Sequence, residues 1–194
     1  MQAQELTPFL HMHPAQMESQ VVWRWHGHDL LMRLTDHLSD EPPPVAWVTS
    51  VRCVVLWRGR VLVVQDPHHY HILPGGRREP GESLEETACR EVLEETGWLV
   101  EQLQLVGFRH FHHREPKPKG YPFLYPDFIQ VVYSGLAVEF RPAAKEVNGF
   151  ELGSTMRHLS DLTDFHLTPG EHFYLRASLQ KRRALALKPG NPHP

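Results

Sequence analysis

The chain has 194 residues, a formal net charge of −3 and 41% hydrophobic residues. That length and apolar fraction suit one globular domain with an appendage, large enough to bury a core. The near-balanced charge argues against a general nucleic-acid binder or a membrane-surface protein, and the lack of a long apolar run argues against a membrane-spanning helix.

Residues 1–44 read as an N-terminal extension. Its first residues, MQAQELTPFLHMHPAQ, lack the basic and apolar regions of a secretory signal, so a cytoplasmic location is expected. SQVVWRWHG reads as a short strand. HDLLMRLTDHL places Leu30, Leu31, Leu34 and Leu38 near helical spacing and predicts a short amphipathic helix, which the prolines of DEPPP stop.

The main domain is expected over 45–187. VAWVTSVRCVVLW is β-branched and aromatic and reads as a strand, RGR as a turn and VLVVQD as the returning strand. LVEQLQLVGFRHF and FIQVVYSGLAVEF are further strands, separated by the proline-rich loop EPKPKGYPFLYPD. LSDL reads as a helical turn, PGEHFYLRASLQKRRALAL as a C-terminal helix, and 188–194 as a loose tail. Hairpins together with a strand-to-helix passage indicate a mixed sheet covered by helices, an α/β (α+β) fold. Cys53 and Cys89 stand in apolar contexts and read as buried thiols rather than a disulfide.

Between the second strand and the third lies GGRREPGESLEETACREVLEETGW, Gly75 to Trp98. Ser83 and Glu86 match a capping box, and Glu85 and Glu86 suit the positive end of a helix dipole. Leu84, Ala88 and Val92 form one apolar stripe, and Gly97 fits the left-handed position that ends a helix. A helix over about 84–96 follows. On it Glu91, Glu94 and Glu95 stand at i, i+3 and i+4 and share a face, where like charges repel by a few tenths of a kcal/mol per pair. A solvated acidic face is the plain explanation of such a triplet. A hard divalent cation such as Mg2+ turns the same repulsion into attraction.

The triplet belongs to a longer pattern. From Gly76 the chain reads glycine, five residues, Glu82, seven residues, Arg90-Glu91-Val92, one residue, Glu94-Glu95, one residue, Gly97-Trp98. At each fixed position this resembles the Nudix box, the signature of the Nudix hydrolase superfamily. The resemblance implies an α/β/α sandwich around a mixed β-sheet, carrying the N-terminal extension as an addition. It implies metal-dependent hydrolysis of a diphosphate linkage in a nucleoside diphosphate derivative, such as ADP-ribose, a nucleotide sugar, a dinucleoside polyphosphate or an NTP. It further implies Mg2+ or Mn2+ held by Glu91, Glu94 and Glu95 with the Gly75 carbonyl. Glu94 is a candidate base, Arg90 orients the glutamates, and Gly76, Glu82 and Gly97 shape the motif.

Outside the motif, Glu151 and Glu146 are candidates for a base from a later loop, with Glu151 preferred. Arg52 and Arg109 are candidate phosphate contacts. Tyr125 is a candidate stacking residue, alongside Phe111, Tyr121 and Phe123. The clustered histidines read as surface or phosphate-facing residues. The subfamily markers for ADP-ribose and dinucleoside polyphosphate substrates fall on His113 and Arg114 and are absent, so the substrate stays open. The expected partner is a nucleotide-derived small molecule, and the extension either caps the site or builds a homodimer. Two other readings are a Nudix-fold sensor without turnover, which the intact motif weighs against, and an RNA 5′-end pyrophosphohydrolase, which the acidic balance weighs against.

Overall fold

The structure is a computed structural model, and it describes residues 3–146 and 149–186. The expected tail at 188–194 lies outside the described residues.

The described residues build one eight-stranded sheet. Its strands are β1 (Met17–Trp25), β2 (His28–Leu38), β3 (Val48–Trp57), β4 (Arg60–Gln65), β5 (Tyr70–His71), β6 (Trp98–His113), β7 (Asp127–Phe140) and β8 (Gly153–His158). The order is β1-β2-β6-β7-β3-β4-β5, with β8 also against β4. β3 and β7 run parallel, while β2–β6, β6–β7 and β3–β4 are antiparallel, so the sheet is mixed.

Alternation along β3 sorts the core into two layers. Val51, Cys53 and Val55 face α1 (Ala3–Met12) and α2 (Leu84–Thr96), which contribute Leu6, Phe9, Leu84, Ala88 and Val92. Val54 and Leu56 face α3 (Pro169–Ala186), through Tyr174, Leu175 and Ala177. The result is the expected α/β/α sandwich. The Tyr174 hydroxyl donates to the Phe108 carbonyl at 2.7 Å, so α3 is tied to the sheet by a buried polar bond as well as by packing.

The extension departs from the sequence reading in two elements. HDLLMRLTDHL is a strand, not a helix. Leu30, Met32 and Leu34 are buried at spacing two, while Leu38 is 38% exposed. A leucine every four residues satisfies both periods, and pairing with β1 and β6 decides for the strand. α1, by contrast, was not expected. The extension therefore continues the sheet through β1 and β2 and covers part of one face with α1. Gly107 permits this junction: a Cβ there would lie 1.9 Å from the His37 carbonyl oxygen.

Candidate active site

α2 begins and ends as its sequence dictates. The Ser83 side chain accepts from the Glu86 amide at 3.1 Å, and the Glu86 carboxylate accepts from the Ser83 amide at 2.8 Å. Gly97 takes φ 77° at the other end and donates to the Leu93 carbonyl. Such a cap contributes about 1 kcal/mol, and it fixes the rotation at which the acidic face meets the preceding loop.

That face is organised by Arg90. Its guanidinium donates to both Glu82 oxygens, at 2.6 and 3.0 Å, to Glu91 at 2.9 Å, to Glu94 at 3.0 Å and to the Arg77 carbonyl at 3.0 Å. Charge-assisted bonds of this kind are short and directional. The Arg90 contacts, with amide and hydroxyl donors from Glu79 and Thr87, hold the Glu82 carboxyl down at about 2. Arg90 is raised in turn by the same carboxylates.

The glycine pair closes the loop over the helix. The Gly75 amide donates to Glu95 at 2.9 Å. A Cβ at Gly76 would lie 2.3 Å from a Glu91 oxygen, so the carboxylate occupies the space a side chain would need. The Gly75 carbonyl accepts from the Arg52 guanidinium. Arg52 is lowered by burial, against the opposing pull of Glu95 and Glu91.

Burial, with Glu151 nearby, pushes the Glu95 carboxyl up to about 8. Burial also raises Glu91. Among the described residues, no three His, Cys, Asp or Glu side chains already converge as ligands on one point. The donor set nonetheless fits a hard divalent cation. It is made only of oxygen and crowded with carboxylates, whose repulsion Arg90 and Arg52 offset in part.

Of the three glutamates, Glu95 lines a cleft of about 860 Å³, together with Gly75, Arg52, Glu151, Arg109 and Gln130 among others. The structure thus brings Glu151 to Glu95. Glu146 instead donates its amide to the Glu94 carbonyl at 2.8 Å, fastening the loop to α2. Arg109 lines the cleft, but its guanidinium is paired with the buried Asp36 at 2.9 Å. Tyr125 lies elsewhere: its hydroxyl donates to the Glu115 carbonyl and its ring stacks on His113 at 4.9 Å.

Some cleft residues were not anticipated. β1 contributes Met17 to Val21 and Trp23 to the wall. The alternation of Trp23 and Trp25 on one strand face was the available signal. Asp66 accepts from the amides of His68 and His69 and pairs with the His69 ring at 3.0 Å. His71, nearby, is pushed down to about 4 by burial and by Arg52, and so is neutral at ordinary pH. Among the described residues no helix is long and apolar enough to cross a membrane.

Comparison with known proteins agrees with this geometry. A segment of 69 residues is 44% identical to mouse nucleoside diphosphate-linked moiety X motif 6, covering 34% of this chain and 22% of that protein. Over 121 residues the chain is 27% identical to the Bacillus subtilis Nudix hydrolase YvcI, covering 61% of this chain and 71% of the relative. The chain thus spans under a quarter of the mouse relative's length. The fold superimposes on the crystal structure of the Bacillus subtilis pyrophosphohydrolase BsRppH with a TM-score of 0.57 at 20% identity, covering 86% of this chain and 98% of that one. The NUDIX domain profile matches residues 46–166, more than half of the chain, and with the intact motif on α2 this places the protein in the Nudix family.

Proposed function

We propose that this protein hydrolyses the diphosphate linkage of a nucleoside diphosphate derivative, and that it needs a divalent cation to do so. The observation that carries this reading is the acidic face of α2, with Glu91 and Glu94 held by Arg90, and Glu95 bonded to the Gly75 amide and lining a cleft with Arg52 and Glu151. A diphosphate repels an attacking water, and a cation held by the three glutamates, Mg2+ or Mn2+, would neutralise that charge and acidify the water.

The chain supplies the rest. Arg52 offers positive charge to the phosphates from the cleft floor. Glu151, facing Glu95, takes the proton of the attacking water. Arg90 touches no substrate and fixes the rotamers of Glu91 and Glu94. Met17 to Val21 and Trp23 belong to the same working unit, since they wall the cleft.

The test is hydrolysis of a panel of ADP-ribose, nucleotide sugars, dinucleoside polyphosphates and NTPs in Mg2+ or Mn2+, with products read by mass spectrometry. At least one substrate is expected to turn over. EDTA and Glu94→Gln are each expected to lower that rate at least about a hundredfold, with the circular dichroism spectrum unchanged. Unchanged hydrolysis in Glu94→Gln sinks the ligand assignment. Binding across the panel without any turnover replaces the hydrolase by a sensor.

A further inference from the structure

The turn between β4 and β5 holds a carboxylate and an imidazole in one fixed pair. The Asp66 amide donates to the His69 carbonyl at 3.0 Å, which closes the turn. Asp66 Oδ1 accepts from the His68 amide at 2.7 Å and from the His69 amide at 2.8 Å. These three bonds complete the turn. The second oxygen, Oδ2, lies 3.0 Å from Nδ1 of the His69 ring. The Asp66 side chain is 6% exposed and the His69 side chain 63%. An ion pair so open to water on one side adds little stability, so the needs of the turn do not account for a fixed ring.

Both residues line the cleft that holds Glu95, Arg52 and Glu151. A carboxylate at Nδ1 selects the tautomer protonated there and leaves Nε2 as the nitrogen that exchanges a proton. His71 is the other imidazole on this wall, with its ring centre 5.9 Å from that of His69. Burial, then Arg52, push His71 down to about 4, so it carries no spare proton at neutral pH. The charged groups around the pair are Arg52 from β3, Glu95 from α2, Glu151 from the loop before β8 and Glu171 from α3. Glu18 from β1 and the paired Asp36 and Arg109 complete the wall. Glu171 is occupied, accepting from the Ile72 amide and from the amide and hydroxyl of Thr168.

We propose that His69, held by Asp66, is the catalytic acid of the hydrolysis and gives its proton to the oxygen that leaves. The inference rests on the diphosphate-hydrolase reading and adds to it the residue that serves the leaving group. The water oxygen bonds to one phosphorus as the bond from that phosphorus to the bridging oxygen breaks. Glu151 takes the water proton, and the Nε2 proton passes to the bridging oxygen, which departs on the leaving phosphate. Glu151 then loses its proton to solvent and His69 regains one from it. Asp66 stays anionic throughout and stabilises the imidazolium.

The test is the pH profile of hydrolysis by the full chain in Mg2+, with the substrate that the panel identifies, for the natural protein and three variants. His69→Ala and His69→Gln are each expected to lower kcat at least about tenfold, to change KM less than about twofold and to abolish the alkaline fall of the kcat profile. Asp66→Asn keeps an oxygen for the two turn amides but loses the anion at Nδ1, and is expected to lower kcat by a smaller factor, about fivefold. Added imidazole is expected to restore part of the rate to His69→Ala, and most at pH values where it is protonated. Unchanged kcat in both His69 variants overturns the acid. So does a loss confined to KM, and so does a loss of kcat with an unaltered profile and no rescue by imidazole, which makes the pair a support of the turn. The two readings fail separately. No turnover by the natural protein removes the hydrolase and the acid with it, whereas turnover that the His69 variants retain removes the acid alone.

Discussion

Arg90 grips Glu82 at two points, with Nε 2.6 Å from one carboxylate oxygen and Nη2 3.0 Å from the other, while Nη1 holds Glu91 and Glu94. One planar group therefore sets the loop and two carboxylates at once. A lysine keeps the charge but not the fork. Arg90→Lys is expected to remain folded and to lose between about tenfold and a hundredfold in kcat, because small displacements of positioning groups cost that much. Steady-state kinetics with circular dichroism of the same sample measures it. A variant with unchanged kcat removes the positioning role.

Glu95 predicts an unusual pH response of the metal-free protein. Its folded carboxyl is raised to about 8 from an ordinary 4.5 by burial and by Glu151. The folded protein thus holds a proton that the unfolded chain releases, and stability falls as pH rises from about 4.5 to about 8. This group contributes at most about 1.4 kcal/mol per pH unit in that window. In EDTA, Tm is expected to decline across the window, and Glu95→Gln is expected to flatten the decline. Mg2+ at pH 8 is expected to raise Tm more in the natural protein than in the variant. A pH-independent Tm in EDTA contradicts this account.

Arg109 answers differently from Arg52. Its partner Asp36 is 3% exposed, and the pair is 2.9 Å apart. Removing one member of a buried pair strands the other and costs about 3–5 kcal/mol. Arg109→Leu is expected to lower stability by that order in urea melts while changing KM little at temperatures where it stays folded. A large KM effect with normal stability instead makes Arg109 a substrate contact.

The strand register of β2 is also testable. Met32 is fully buried and Leu38 is 38% exposed. Met32→Ala is expected to cost about 2–4 kcal/mol, and Leu38→Ala under about 0.5 kcal/mol. A helix with Leu30, Leu34 and Leu38 on its inner face gives the opposite ranking. Denaturant unfolding of the two variants separates them.

What is legible in the sequence follows the range of the interactions. α2 was legible to the residue because its cap, stripe and terminal glycine are all local. The glutamates and Arg90 were legible for the same reason, since one helical face presents them. β2 was misread because its leucines satisfy two periods, and the deciding contacts come from β6, roughly 75 residues away in the register Leu38 to Gly107 and Met32 to His113. The pairing of Arg109 with Asp36 crosses the same distance, so a cation that looked free in the sequence is already committed. Tyr125 is one of three aromatics in the loop EPKPKGYPFLYPD, with Tyr121 and Phe123. Periodicity does not say which ring of a proline-rich loop turns inward, and it is Tyr121 and Phe123 that line a cavity.

The parallel contact of β3 with β7 sets the order in which the molecule assembles. Val48 meets Ile129 and Leu56 meets Leu136, so about 80 residues must be gathered before the central pair closes. Closing a loop of that size precedes any reward from the contact and slows folding. α2 lies within that loop and helix formation there is local, so its glutamates are set at their spacing early. Arg52 and Gln130 reach each other only when β3 and β7 align. On a ribosome, then, the helix that carries the carboxylates forms before the cleft beside it, and Arg52 and Gln130 reach the cleft wall in the same late step.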